Sequence, residues 1–291
     1  MSFELILARK AEYGVALMCR SFGVSRSGYY AWEDRQPSAR RLEEAPIGVR
    51  IREVFAEHRG RYGAPRVHAQ LRREGLRLSR KRVARMMRQR GLRAHPPRRF
   101  CVTTTSDHAL PIAPNVLARQ FDVAAPNSAW AADITYVSTG EGWLYLAVVL
   151  DLATRAVVGW ATSDSLHRDI CIRALRHALR ARKPSTRLVH HSDRGSQYAS
   201  DEYRALLAKH ALIPSMSRTG DCWDNAVVES FFATLKKELV YCNRFATHAH
   251  AEASLAAYLD VYYNHKRIHS HLGYRTPKEA SLDYHSCLMA A

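Results

Sequence analysis

The pattern of apolar and polar positions predicts a helical first third of the chain. Residues 13–32 and 65–92 each contain two short apolar stretches with helical spacing, and a glycine separates the two stretches. In both segments a serine stands where it would cap the second helix; the residues are Gly23, Gly75, Ser25 and Ser79. Both segments are therefore compatible with a helix-turn-helix, or with a helical hairpin that packs on another part of the protein.

From about Trp130 the pattern changes to that of strands and helices in alternation. Segments 130–137, 143–150 and 156–162 are rich in β-branched and aromatic residues, and the last two form a predicted hairpin. Helices are then predicted at 167–182, 200–210, 224–240 and 248–265, with Ser200 and Asp224 as caps, and short strands at 187–193 and 212–217. This order predicts a mixed α/β sheet covered by helices.

Composition adds a strong charge asymmetry. The 291 residues are 47% hydrophobic, which is enough for a sizeable core and for more than one domain. Lys and Arg number 44 against 27 Asp and Glu, a formal net charge of +17. Residues 1–120 hold 25 of these basic residues and only 10 of the acidic ones, and in 61–100 Glu74 is the single acid. The positive electrostatic potential of such a charge distribution favours a polyanionic partner, either nucleic acid or an acidic membrane surface.

The second helix of segment 65–92 has two distinct faces. Val83, Met86 and Met87 lie on one face, while basic side chains lie on another. A solvated charged face is the ordinary alternative, but the near absence of acids favours contacts with DNA phosphates. The candidate DNA-binding residues here are Lys81, Arg82, Arg85 and Arg88.

Membrane and disulfide classes are disfavoured by the sequence. No stretch approaches the roughly 20 uncharged apolar residues of a membrane span, and the N-terminus does not read as a signal peptide. The six cysteines are scattered without a C-x-x-C pair, which predicts reduced thiols rather than a disulfide framework or a zinc site.

Three carboxylates stand at positions that suit metal chemistry. Asp133 lies inside an apolar strand, Asp193 ends the strand at 187–193, and Glu229 lies among apolar residues of a long helix. Singly, each has a structural explanation: a hydrogen bond to a buried donor, a turn, or an ion pair. Together on adjacent elements they could hold two divalent cations for phosphoryl transfer, because Mg²⁺ prefers oxygen ligands.

The sequence around these acids resembles the retroviral-integrase-like DDE transposases. The blocks that carry the resemblance are W-A-A-D-I-T-Y at 130–136, H-S-D-R-G-S-Q-Y at 191–198 and D-N-A-V-V-E-S-F-F at 224–232. Thirty-five residues separate Asp193 from Glu229, as in that family's D-D-35-E pattern. The chain most resembles bacterial insertion-sequence transposases whose catalytic chain is the second of two overlapping reading frames. Further resembling blocks lie at 61–67, 81–87, 263–267 and 271–277.

The resemblance implies a fold and a reaction. The fold is α/β, a ribonuclease H-like core with a mixed five-stranded sheet, preceded by helix-turn-helix segments. The catalytic and metal-binding residues are Asp133, Asp193 and Glu229, with Mg²⁺ or Mn²⁺ as cofactor, two ions in all. The implied reaction is cleavage of the element's DNA ends followed by attack of the freed 3′-hydroxyl on another strand, in the bacterial cytoplasm at the nucleoid.

Residues near the three acids are expected to support this chemistry. Lys236 lies two helical turns after Glu229 and could hold a DNA phosphate, and Asn225 could orient Glu229 or touch DNA. Arg194 is a candidate DNA contact, with a solvated turn residue as an equal alternative. His191 is undecided between support of the ligands and packing. Trp130 and Trp223 are expected to pack rather than to stack on bases.

The predicted organisation has five parts and several partners. The parts are a helical segment at 1–45, a basic helix-turn-helix-like region at 46–95, a linker at 96–122, the catalytic core at 123–245 and a helical extension at 246–291. The resemblance implies terminal-repeat and target DNA as partners, a homo-multimer on paired ends, and fusion or association with a first-frame helix-turn-helix and leucine-zipper protein. The alternatives are a nuclease of the same fold that does not join strands, and a non-catalytic DNA-binding protein of a decayed element.

Overall fold

The computed structural model describes residues 2–36, 38–94, 110–184, 187–219 and 221–290. It contains two compact units, Met1–Arg93 and Ala94–Ala291. Residues 96–109 of the predicted linker lie outside the described residues. None of the described helices combines the length and the apolar character that a membrane span requires.

The first unit is helical wherever the structure describes it. Its helices are α1 (Ser2–Arg9), α2 (Val15–Ser21), α3 (Arg26–Glu33), α4 (Ala39–Glu57), α5 (Ala64–Arg73) and α6 (Arg80–Gln89). The two predicted helix pairs are thus α2 with α3 and α5 with α6. Ser25 and Ser79 cap α3 and α6, because each side chain accepts a backbone N–H from the first helical turn.

The basic helix α6 packs its apolar face inward, as its pattern predicts. Val83, Met86 and Met87 are buried, while Lys81 and Arg88 are exposed. The other two candidate cations of this helix already have acidic partners within the protein. Arg82 and Arg85 both form ion pairs with Glu44 of α4, so an acid distant in sequence offsets part of the charge on this helix.

The second unit is built around a mixed five-stranded sheet. Its strands are β1 (Ala129–Thr139), β2 (Gly142–Asp151), β3 (Val157–Ser163), β4 (Val189–Ser192) and β5 (Ile213–Met216). The sheet order is β3-β2-β1-β4-β5, with antiparallel pairing from β3 to β1 and parallel pairing from β1 to β5. The predicted ribonuclease H-like α/β fold is confirmed.

Helices cover both faces of this sheet. They are α7 (Asp169–Arg182), α8 (Ser196–Ala199), α9 (Asp201–Lys209), α10 (Ala226–Glu238), α11 (His248–Ala256) and α12 (Pro277–Ala290). Side chains from one face, such as Leu146 and Val148, form a core with α10 and α11, and those from the other face, such as Trp130, pack on α7 and α9. The helix α7 lies so close to β3 that a Cβ on Gly159 would stand 2.3 Å from the Ala174 carbonyl oxygen. Glycine therefore permits this contact.

The cap prediction for Asp224 is wrong, and the prediction for Ser200 is confirmed in position but not in its side-chain hydrogen bond. Asp224 does not cap the long helix: it lies in a 3₁₀ helix, Cys222–Asn225, and accepts hydrogen bonds from Arg119, Arg218 and Asn115. Ser200 precedes α9, but its hydroxyl donates to the Gln197 carbonyl instead. In both cases a partner outside the helix satisfies the side chain.

The end of the chain completes the core. The predicted helix at 248–265 is α11 continued by a π-helix, Ala257–Tyr263, whose tyrosines pack against α10. Arg267 follows and forms a buried ion pair with Glu238 of α10 at 2.9 Å. This pair ties the C-terminal segment to the helix that carries Glu229.

Candidate active site

The sheet register places two of the three candidate acids side by side. In the parallel pairing of β1 with β4, Ala132 is opposite Ser192. Asp133, still within β1, and Asp193, the first residue after β4, come next, so the two acids stand side by side where the pairing of β1 with β4 ends. One oxygen of each carboxylate accepts a local backbone N–H, from Ile134 at 2.7 Å and from Gly195 at 2.9 Å.

The third acid, Glu229, arrives on α10. It lies in the first turn of this helix and is exposed, and the positive end of the helix dipole favours its charged form. The start of the helix is fixed to β1, because the Asn225 side-chain amide donates to the carbonyl of Ala132 at 3.4 Å. Asn225 is buried, and within the described residues its side-chain oxygen has no hydrogen-bond partner. Asn225 therefore joins the helix that carries Glu229 to the strand that carries Asp133.

The electrostatics of the site are those of crowded negative charge. Burial raises the pKa of Asp133 well above its usual value, and the neighbouring charges of Asp193 and Glu229 raise it further. Partial burial also raises the pKa of Glu229. The attraction of Lys236 acts on Asp133 in the opposite direction. Acids with this mutual repulsion are stabilised when a cation enters between them.

Lys236 lies on the inner side of α10 rather than in solvent. It is 7% exposed, and its ammonium nitrogen stands 4.6 Å from the centre of the Tyr136 ring, a cation–π contact. Burial lowers the pKa of Lys236, while the charge of Asp133 opposes that shift. The predicted position of Lys236 on the same side of α10 as the acids is consistent with its electrostatic coupling to Asp133.

A hydrogen-bond chain behind β4 supports the strand end that carries Asp193. The His191 ring bonds the Ser215 hydroxyl at 2.9 Å through Nδ1 and the Ser217 hydroxyl at 3.2 Å through Nε2. The Ser215 hydroxyl also accepts the backbone N–H groups of Val116 and Leu117. His191 is fully buried, so this structure assigns it a bracing role and brings residues 110–122 onto the core.

The structure bears on two expectations about neighbouring residues. Arg194 is partly buried, and its guanidinium donates to the Ser217 carbonyl and the Thr219 hydroxyl, both at 2.6 Å, so it is more than a solvated turn residue, while its contact with DNA stays a prediction. Trp130 is fully buried as expected, whereas Trp223 is 68% exposed and does not pack. The short 3₁₀ helix that carries Trp223 turns its ring outward, which the apolar character of the residue could not indicate.

The cleft beside the acids is lined partly by residues outside the sequence motifs, namely Trp143, Tyr145 and Leu166. This cleft of about 420 Å³ is lined by Asp133, Asp193 and seven neighbours, namely Ile134, Thr135, Tyr136, Trp143, Tyr145, Leu166 and Gln197, of which three are aromatic. Tyr136 and Tyr145 are directly opposite each other in the observed pairing of β1 with β2, whereas the predicted hairpin joined 143–150 to 156–162.

The three acids lie in one region of the second unit, but their carboxylates are not close enough together to coordinate one metal ion in the described residues. Within the described residues, no group of three or more His, Cys, Asp and Glu side chains stands close enough to hold a metal ion. Asp133 and Asp193 line the cleft, and Glu229 acts on Asp133 through its charge without lining it. The donor chemistry nevertheless fits a hard divalent cation, because three carboxylates raise the local negative charge and supply oxygen ligands.

Comparisons with known proteins identify both units. Residues 41–100 match an HTH-like domain, and residues 123–222 and 211–277 match integrase core domains. The chain is 40% identical over 281 residues to the transposase InsF for insertion sequence IS3A of Escherichia coli (strain K12), covering 96% of this chain and 98% of that protein. It is 41% identical over 268 residues to an insertion element IS600 31 kDa protein of Shigella sonnei, covering 92% of this chain and 98% of the relative.

Solved structures of viral integrases show more distant similarity. A simian T-cell lymphotropic virus intasome chain matches with a TM-score of 0.46 and 16% identity, covering 79% of this chain and 74% of that chain. The HTLV-2 integrase catalytic core domain in complex with magnesium matches with a TM-score of 0.42 and 18% identity, covering 54% and 97%. The near-complete coverage by relatives at 40% identity decides the assignment: this chain belongs to the insertion-sequence transposases that combine an HTH-like domain with an integrase core domain.

Proposed function

We propose that this transposase is a metal-dependent polynucleotidyl transferase that cleaves the DNA ends of its insertion sequence and joins the freed 3′-hydroxyl to another strand. The observation that carries the proposal is the adjacency of Asp133, in the middle of β1, and Asp193, directly after β4, with Glu229 adding its charge from α10. A strand-transfer site needs carboxylates from distant parts of the chain close together, and this adjacency supports such a site.

Asp133, Asp193 and Glu229 are the proposed ligands of Mg²⁺ or Mn²⁺, two ions in all. Two such ions supply the positive charge that stabilises the attacking and leaving oxygens of an in-line displacement at phosphorus. The chain's own contribution is to fix its ligands. The backbone N–H of Ile134 holds Asp133, that of Gly195 holds Asp193, and the Asn225 amide holds the start of α10 against β1.

Cationic side chains are the proposed contacts to the DNA backbone. Lys236 stands near Asp133 and, as a proposed phosphate contact, would lie beside the reacting phosphate. In the helical unit the exposed residues Lys81 and Arg88 are the stronger candidates, because Glu44 engages Arg82 and Arg85. We propose that Arg194 and Asn225 act by shaping the site, since both side chains are engaged by the protein.

The test is a strand-joining assay with a labelled DNA duplex that carries the terminal sequence flanking this gene. Wild-type protein with Mg²⁺ or Mn²⁺, assayed in the presence of a first-frame helix-turn-helix and leucine-zipper partner, is expected to give both cut ends and joined products. Asp133→Asn is expected to abolish both while leaving binding of the duplex intact. Asp201→Asn, which alters an exposed carboxylate that does not line the cleft, is the matched control and should retain activity.

Each other outcome identifies a different protein. Cutting without joined products would support a nuclease of the same fold. Binding without either reaction would support a non-catalytic DNA-binding protein. Joining that persists undiminished in Asp133→Asn would remove the catalytic assignment.

We also propose that the active form is a multimer on paired DNA ends, fused to or associated with a first-frame helix-turn-helix and leucine-zipper protein. The sequence has no sustained heptad run, so a dimerising coiled coil would have to come from another chain. Light scattering of the chain with its terminal duplex, with and without that partner, tests this. A complex of one chain with one duplex under both conditions would contradict it.

A further inference from the structure

The cleft beside Asp133 and Asp193 has walls that phosphoryl transfer by itself does not require. Its volume of about 420 Å³ falls in the range of small-molecule sites, about 300–1,000 Å³. Acids stand at one end, and the rings of Tyr136, Trp143 and Tyr145 form much of the remainder. The aromatic part of the lining offers an apolar surface for a flat group beside the carboxylate oxygens.

The aromatic rings are held in place by the β1–β2 hairpin and by α10. Tyr136 is opposite Tyr145, and Trp143 is the diagonal neighbour of Tyr136 across the two strands. The rings of Tyr136 and Trp143 meet edge to face, with centres 4.9 Å apart and planes at 80°. Lys236 stands over the Tyr136 ring. Tyr136 is thus fixed by a strand partner, a ring contact and a cation.

Trp143 is the part of this wall that is open to a ligand. It is 52% exposed although it is a large aromatic residue, and Leu166 on the same cleft is 48% exposed. The cleft also contains a polar group of defined position, because the Gln197 amide donates to the Leu166 carbonyl at 3.4 Å. Exposed rings next to one amide can bind a nucleobase, which presents a π-face for stacking and hydrogen-bonding edges.

We propose that this cleft holds one unpaired nucleobase of the DNA strand whose phosphate reacts at Asp133 and Asp193, with the base stacked on Trp143. The inference rests on the proposed function, because that function places the reacting phosphate at the acidic end of the cleft. Stacking on an aromatic ring offsets part of the cost of unpairing, and it tolerates any base.

Photocrosslinking tests the inference without any reaction at phosphorus. The probe is the terminal duplex with two unpaired nucleotides at one end, one of them 5-iodouridine, irradiated with the full chain in EDTA. Peptide mass spectrometry is expected to find the crosslink within residues 136–145. A fully paired duplex with the same 5-iodouridine should crosslink less at this segment, because its base remains in the stack.

Variants of Trp143 add a quantitative readout. Trp143→Ala is expected to weaken binding of the unpaired-end duplex by about 5- to 150-fold, the range that corresponds to loss of one stacked base. Binding of the paired duplex should change much less, and Trp143→Phe should recover most of the loss. Tyr241→Ala removes another exposed aromatic ring that does not line the cleft and is the matched control. The melting temperature of each variant verifies that it is folded.

The outcomes separate this inference from the proposed function. Crosslinks at 136–145 in a protein that never joins strands would support the base site and contradict the transferase. Joined products together with crosslinks confined to Trp223 or to the helical unit would contradict the base site alone. Equal loss of affinity for paired and unpaired duplexes in Trp143→Ala would also overturn it, because a general DNA surface does not distinguish them.

Discussion

The buried pair of Glu238 and Arg267 gives the sharpest stability prediction. Both side chains are 4% exposed, and the guanidinium Nε and Nη2 atoms stand 2.9–3.0 Å from the carboxylate oxygens. The Tyr258 hydroxyl donates to the same carboxylate at 2.9 Å. Burial alone would lower the pKa of Arg267, but the attraction of Glu238 raises it overall, so the guanidinium stays charged. Glu238→Ala would leave this charge without its carboxylate partner in the core.

The cost can be worked from these contacts. Removing one partner of a buried ion pair lowers the free energy of unfolding by about 3–5 kcal/mol. This range includes the hydrogen bond that the Tyr258 hydroxyl loses. A loss of about 4 kcal/mol in a unit of this size lowers the melting temperature by about 8–16 °C. Replacing both residues by Met, as in Glu238→Met with Arg267→Met, should recover most of the loss, because no charge then remains buried.

Tryptophan fluorescence during thermal or urea unfolding reports mainly on the second structural unit, which contains Glu238 and Arg267. Trp32 lies in the helical unit, whereas Trp130, Trp143, Trp160 and Trp223 all lie in the second unit. Strand joining well below the melting temperature should be retained, since neither residue touches the acids. If Glu238→Ala costs less than about 1 kcal/mol, or if the double variant is no more stable than the single one, the reasoning about the buried charge is wrong.

Three further predictions concern charge. Burial, and then the charge of His191, lower the pKa of His190 to about 3. The free energy of unfolding should therefore be complete above pH 6.5 and should fall toward pH 3 by up to about 5 kcal/mol, and His190→Gln should reduce this pH dependence in urea titrations. Asp133→Asn should raise the melting temperature in EDTA, because burial and the charges of the neighbouring acids raise the pKa of Asp133 and the amide removes both penalties. An unchanged or lower melting temperature would argue against this repulsion. The double variant Lys81→Ala with Arg88→Ala should make the slope of log binding constant against log salt concentration shallower by about 0.9 per lost phosphate contact. An unaltered slope would exclude α6 from the DNA interface.

The sequence predicted most of the elements because their signals are local. The strands β1 to β3 were recognised from runs of β-branched and aromatic residues, and α6 from the spacing of Val83, Met86 and Met87. The predictions were wrong or incomplete where a side chain binds a residue that is distant in the sequence. Asp224 looked like a helix cap, but Arg119, 105 residues away along the chain, binds it instead. Arg85 looked free, but Glu44 of another helix neutralises it.

The candidate site shows the same division. Local patterns along the chain were sufficient to predict the α/β class, and the resemblance of the motifs selected Asp133, Asp193 and Glu229. The folded chain was needed to show that Asp133 and Asp193 stand side by side, that Glu229 remains exposed, and that Tyr136, Trp143 and Tyr145 line the same cleft. The physical reason is that periodicity and capping act over a few residues, whereas strand pairing and charge neutralisation join residues that the chain order keeps far apart.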